Sequence, residues 1–176
     1  IRTLEDANQF GDVLEPKRRI VIVGGGYIGL EAAAVCAQKG MKVTLVEAGA
    51  RILQRVACRE TSAWFKRLHS EEGVDIKEGV GLSHFEGRGG KLTRAVLTDK
   101  SVIDADVAVV GIGILPNTEL AEACGLAVEN GIIVNGVCQT NDPAIYAAGD
   151  CAVTDYKGIS TRLESVPNAI DQATVA

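Results

Sequence analysis

Val23-Gly24-Gly25-Gly26-Tyr27-Ile28-Gly29 is the stretch that decides the fold. The β-branched run Ile20 to Val23 leads into it, the pattern of a parallel strand covered on both faces. Beyond it, Tyr27 to Lys39 is alanine-rich, with apolar residues at Ile28, Ala32, Val35 and Cys36, which predicts a helix closed by Gly40. Val43 to Val46 supplies a second strand ending at Glu47, so strand, glycine turn, helix and strand follow one another within about thirty residues, as in a mononucleotide-binding unit. A phosphate at a helix start is held by unpaired backbone N–H groups and the positive end of the helix dipole, and side chains there obstruct its approach. Gly24 allows the tight turn, Gly26 the close approach of backbone to pyrophosphate, and Gly29 the packing of helix on strand. A glycine-rich turn alone equally closes a strand for structural reasons. The strand before it, the helix after it and Glu47 together favour the dinucleotide reading.

Glu47 stands where a carboxylate accepts both hydroxyl protons of an adenosine ribose, which favours NAD over NADP. An ordinary solvated acid at a strand end is the alternative. Arg51 is a reservation, because a guanidinium tolerates a 2'-phosphate.

Outward from this unit, Thr3 with Asp6 three residues on predicts a capped lead-in helix that runs to Leu14 and closes at Pro16, followed by the basic trio Lys17-Arg18-Arg19. Arg59 to Ser70 predicts a helix. Val74 to Lys77, Gly79 to Phe85 and Lys91 to Thr98 predict short strands with a turn at Gly87-Arg88-Gly89-Gly90. Val107 to Val110 is again a buried strand, leading into Gly111-Ile112-Gly113-Ile114-Leu115-Pro116-Asn117. Near the other end, Ile145 to Ala148 is expected to be a buried strand, turned sharply by Gly149, with Asp150 at its carboxyl end. An acid there can hydrogen-bond a polyol such as the ribitol of a flavin, although a Gly-Asp pair after a strand is commonly a plain turn.

The 176 residues are 47% hydrophobic and only 4% aromatic, an aliphatic-rich α/β composition long enough for a real core. A net charge of -5 without a long basic run argues against nucleic acid. No stretch reaches the roughly 18 to 20 apolar residues of a membrane helix, and no signal-peptide layout opens the chain, so no membrane association and a cytoplasmic location are expected. Cys36, Cys58, Cys124, Cys138 and Cys151 are isolated from one another and from any histidine group. Buried reduced thiols are expected, and no metal. Ile1 in place of a methionine, and Val175-Ala176 inside a helix expected to have just begun, suggest a piece of a longer chain.

Thr140-Asn141-Asp142-Pro143-Ala144-Ile145-Tyr146-Ala147-Ala148-Gly149-Asp150 resembles the second FAD motif of two-dinucleotide flavoprotein reductases, and Gly111 to Asn117 resembles their interdomain loop. Arg162-Leu163-Glu164-Ser165-Val166-Pro167-Asn168-Ala169, with Gln172-Ala173 after it, is similar to the flavin-side segment of one branch, the NADH-dependent ferredoxin reductases of bacterial oxygenase systems. The order of motifs along the chain, beginning with Arg2-Thr3-Leu4-Glu5-Asp6, carries the same resemblance. It implies an α/β protein: a Rossmann-like NAD-binding domain with a parallel sheet at residues 1–115, and part of a second Rossmann-like, FAD-binding domain at residues 116–176. It implies NADH contacts at Gly24, Gly26, Tyr27, Ile28, Gly29, Glu47, Arg51, Gly111, Ile112 and Gly113, and FAD contacts at Gly149, Asp150, Glu164, Ser165 and Val166. The implied activity passes electrons from NADH through FAD to a two-iron two-sulfur ferredoxin that serves an oxygenase. A thiol-linked reductase of the same fold and an NADH-binding regulatory module are the alternatives.

No catalytic side chain is singled out with certainty. Glu31, expected in the first helical turn, is either a partner of the helix dipole or a neighbour of the nicotinamide–flavin contact. Glu164 and Arg162 are either a surface ion pair or residues beside the flavin ring. Trp64, His69 and His84 carry no partner pattern and are expected to serve packing or solvation.

Overall fold

The computed structural model describes residues 3–176; Ile1 and Arg2, the latter at the head of the Arg2-to-Asp6 resemblance, lie outside them. The chain folds as two compact units, Ile1–Ile112 and Gly113–Ala176.

In the first unit, Thr3 caps helix α1 (Leu4–Asp12) with a reciprocal box: the Asp6 N–H donates to Thr3 Oγ1 at 3.1 Å, and the Thr3 N–H to Asp6 Oδ2 at 2.9 Å. The helix stops at Asp12, well before Pro16, one residue past Gly11, the weakest helix former within it. Strands β1 (Arg19–Val23), β2 (Lys42–Glu47), β3 (Asp75–Glu78) and β7 (Val107–Val110) form one parallel sheet in the order β3-β2-β1-β7. Helices α2 (Tyr27–Gln38) and α3 (Arg59–Glu71) are the crossovers between its first three strands, the layout of a Rossmann-like α/β fold.

β1 shows why its sequence is continuously apolar. Ile20 and Ile22 face α2 and α3, in a core with Leu30, Ala33, Cys36, Leu45 and Ile52. Val21 and Val23 face the other way, in a core with Val46, Ala95, Leu97 and Ala105. Both faces are dry, and each such side chain contributes about 1.5–3 kcal/mol. The second face is covered by an antiparallel meander of β4 (Leu82–Arg88), β5 (Lys91–Leu97) and β6 (Val102–Asp104). β4 extends through Gly87 and Arg88, so the turn is Gly89-Gly90 alone, both at positive φ (60° and 75°), the two-residue hairpin geometry.

The apolar residues that mark α2 do not all face the core. Gly29, Leu30, Ala33 and Cys36 are buried, whereas Ile28 and Val35 are 64% and 44% exposed. The segment is apolar all round, so spacing alone does not select a face; the small residues do, because they let the helix sit close on the sheet. Glu31 lies in the second turn rather than the first, exposed to solvent.

In the second unit, β8 (Ile132–Val134) pairs in parallel with β9 (Ala152–Tyr156), which pairs antiparallel with β10 (Ile159–Thr161). A short helix α4 (Glu119–Ala123) precedes them and α5 (Val166–Val175) follows. α5 is a formed helix of ten residues, capped by the Ser165 hydroxyl accepting from the Asn168 N–H, and has not just begun at Val175. Ile145 to Ala148 is not a strand. Among the described residues it makes one bridge, Gln139 with Tyr146, and Tyr146 is 46% exposed. A strand is a pairing, and the residues flanking this stretch offer only the short run Cys138 to Thr140 across a turn.

Candidate dinucleotide and flavin sites

The glycine turn is built by collisions that side chains would cause. Gly24 has φ +108°, and a Cβ on it would fall 2.3 Å from the Gly111 carbonyl oxygen at the end of β7. A Cβ on Gly29 would fall 1.9 Å from the Gly24 oxygen. Gly24, Gly29 and Gly111 are thus one packed junction of turn, helix and strand end. Gly26 is different: nothing lies within 4 Å of its Cβ position, so its absent side chain leaves open space in front of the helix start. Gly26 is also the N-cap of α2, without a side-chain cap and without an acid in the first turn, and Tyr27 and Ile28 are exposed beside it. Uncapped N–H groups facing a cradle clear of side chains fit a pyrophosphate.

Glu47 is tied into this turn. Its Oε2 accepts from the Gly25 N–H and its Oε1 from the Gly49 N–H, both at 2.6 Å. Each oxygen keeps a lone pair, so the half-buried carboxylate can still accept from a ribose hydroxyl while it braces the loop. Gly25, which sequence reading passed over, makes this possible: a Cβ there would lie 3.0 Å from Glu47 Oε2 and 2.7 Å from the Ile52 side chain. Arg51 turns toward the loop after β2, donating to the Cys58 carbonyl at 3.4 Å, the Gln54 carbonyl at 3.3 Å and the Ser62 hydroxyl. Ile112 is 73% exposed where the first unit ends, and Gly113 follows at φ +128°.

In the second unit, Gly149 (φ +82°) opens a single turn of 3-10 helix, Gly149–Cys151, with Asp150 exposed. The Gly149 N–H donates to Gln172 Oε1 of α5 at 2.7 Å. Arg162 donates from Nη1 to the Asp150 carbonyl at 3.0 Å and pairs through Nη2 with Glu164 Oε1 at 2.8 Å. Asp150, Glu164, Ser165 and Val166 therefore stand together around the start of α5, a polar, solvent-facing group with the donors and acceptors a flavin polyol needs. The Arg162–Glu164 ion pair exists, with Glu164 exposed at the surface and the Arg162 side chain, 9% exposed, reaching inward to a buried Nε that has no partner. The Arg162–Glu164 pair was one of the readings the sequence offered; the bonds of Arg162 to Asp150 and of Gln172 to Gly149 carried no such signal, because they join segments 12 and 23 residues apart.

The bland readings hold for the aromatic and histidine residues. Trp64 stacks edge-on against Phe65, the His69 ring lies between the carbonyls of Phe65 and Leu30, and His84 is exposed beside Glu86. The cysteines are unpaired, but only Cys36 and Cys138 are buried; Cys58 and Cys124 are exposed. Burial pushes the Cys36 thiol pKa up, which makes it less reactive. Among the described residues no cluster could hold a metal, and no helix is long and apolar enough to cross a membrane.

The chain is similar to putidaredoxin reductase CamA of Pseudomonas putida, 45% identical over 177 residues covering 98% of this chain and 42% of that protein. It is also similar to a ferredoxin--NAD(P)(+) reductase of a Sphingomonas species, 42% identical over 99% of this chain and 43% of the relative. Among solved structures it matches the covalent putidaredoxin reductase-putidaredoxin complex with a TM-score of 0.89, covering 99% of this chain and 43% of that one. It matches an NAD-dependent persulfide reductase from A. fulgidus with a TM-score of 0.88 but 31% identity, over 99% of this chain and 33% of that one. The chain thus spans less than half the length of these proteins. The model of the pyridine nucleotide-disulphide oxidoreductase family matches residues 1–173, and with the glycine turn, the braced acid and the parallel sheet in place, the chain belongs to that family.

Proposed function

We propose that this chain is the NAD-binding part and a share of the FAD-binding part of an NADH-dependent ferredoxin reductase. Residues 1–115 hold NADH and residues 116–176 contribute to the FAD site. The observation that carries this reading is the junction of Gly24, Gly29 and Gly111 with Glu47 locked onto Gly25, supported by 40–45% identity to ferredoxin reductases. The thiol-linked alternative has the weaker support, 31% identity to the persulfide reductase.

The first turn of α2 binds the pyrophosphate through its open N–H groups, and Glu47 orients the adenosine ribose. Asp150 accepts from a flavin hydroxyl. Bound FAD supplies the conversion of a two-electron hydride into two single-electron transfers, and the protein supplies orientation and exclusion of side reactions. Glu31 serves the nicotinamide side and Glu164 the flavin side. The electron acceptor is a small two-iron two-sulfur ferredoxin serving an oxygenase, and the setting is the cytoplasm, where NADH is the donor.

A carboxylate about 4 Å from a 2'-phosphate charge repels it by roughly 4 kcal/mol at an effective dielectric near 20, so NADH is strongly preferred. The test is the absorbance spectrum of the whole protein before and after anaerobic NADH or NADPH, followed by addition of a two-iron two-sulfur ferredoxin. Flavin bleaching by NADH and recolouring by ferredoxin are expected. Equal bleaching by NADPH ends the role of Glu47, and absence of flavin favours a regulatory module.

A further inference from the structure

Arg162 is the most deeply placed charge in the second unit, and nothing in its role as an ion-pair partner requires that burial. Its guanidinium joins two segments that are separate in sequence: Nη1 holds the Asp150 backbone carbonyl at 3.0 Å and Nη2 holds Glu164 at 2.8 Å. The side chain runs over Gly131, where a Cβ would stand 3.1 Å from Arg162 Cδ, so the path of the arginine is kept clear. Burying a guanidinium with Nε unpartnered is costly, and a lysine offers a single point charge that cannot span both acceptors.

We infer that Arg162 is a positioning residue of the flavin site: it sets the spacing between the Gly149-Asp150 turn and Glu164 at the head of α5, and it neutralises Glu164. The inference rests on the reading that Asp150 and Glu164 meet FAD. Gln172, which holds the Gly149 N–H from α5, works beside it on the same turn.

The experiment compares Arg162→Met, Arg162→Lys, Arg162→Met with Glu164→Gln, and Asp150→Ala in the whole protein. The readouts are the FAD dissociation constant, the visible circular dichroism and midpoint potential of bound flavin, and melting of the flavin-free protein. Arg162→Met is expected to weaken FAD about tenfold or more and to move the potential negative, because Glu164 is left an unpaired anion. Arg162→Lys falls between, and adding Glu164→Gln returns the potential toward wild type. If Asp150→Ala weakens FAD while Arg162→Met leaves dissociation constant, dichroism and potential unchanged, the inference is overturned and the site reading stands. If Arg162→Met lowers only the melting point of the flavin-free protein, the arginine is structural and the inference is again overturned. If Asp150→Ala binds FAD as wild type does, the reading of the site itself falls, and the inference with it.

Discussion

The two units put similar aliphatic sequence to different ends. In the first, β1 sends alternate residues into two separate cores, and Ile20, Val21 and Ile22 are essentially inaccessible. In the second, the buried cluster is Val134, Ala147 and Ala152, and α5 buries no residue at all, leaving Val166 and Ile170 74% and 61% exposed. The first unit satisfies its strands within about ninety consecutive residues; in the second, polar clasps such as Gly149 to Gln172 and Asp150 to Arg162 tie the turn to α5 and the segment before it. The one carries a large apolar core and the other a small one.

The sharpest way to break this contrast is truncation. Ile22→Ala is expected to cost about 2–5 kcal/mol, by lost burial and a cavity between sheet and helices. Ile133→Ala, at a β8 position 40% exposed, is expected to cost within about 0.5 kcal/mol. Denaturant unfolding followed by far-ultraviolet circular dichroism reads both units, and emission of Trp64, the single tryptophan, reads the first alone. Equal midpoints for the two variants would erase the distinction.

A smaller effect separates packing from binding inside the glycine turn. Gly29→Ala forces its Cβ into the Gly24 carbonyl and is expected to cost about 1–3 kcal/mol of stability together with dinucleotide affinity. Gly26→Ala meets no protein atom, so it should leave the Trp64 transition in place and weaken only NAD binding, measured by calorimetry. Loss of stability in Gly26→Ala would show that this glycine is also structural.

The smallest effect is electrostatic. Asp106 accepts from Arg19 Nη2 at 2.6 Å and from its Nε and backbone N–H at 3.0 Å, which lowers its pKa from 3.8 to about 2. A carboxyl depressed in the folded state contributes stability above its unfolded pKa and loses it as pH falls through the folded value. The melting-point gap between wild type and Asp106→Asn should be open near about pH 6, shrink below 3.8 and close near 2. A gap independent of pH would assign the effect to geometry alone.

What was legible in the sequence was local. Ile20 to Val23, the glycine turn and Val43 to Glu47 carry their pairing instructions within one crossover, and the structure follows them nearly residue for residue. The face of α2 was not legible, because Ile28, Leu30, Ala33 and Val35 are all apolar and only the sheet chooses among them. Ile145 to Ala148 has strand composition without a strand's partner. The bonds of Glu47 and the burial of Arg162 depend on where distant segments come to rest, information that spacing does not hold.

The double engagement of Glu47 has a consequence for how such a protein changes over time. On the proposed reading, replacing it would remove a ribose acceptor and, in the same step, free the Gly25 and Gly49 amides that it holds. One substitution therefore cannot trade one nicotinamide nucleotide for the other: a basic residue at position 47 arrives with a slackened loop, and its benefit appears only after a second change restores the turn. If Glu47 sets the nucleotide preference as proposed, that preference is guarded by epistasis, and a mutational path across it passes through a variant poor with both.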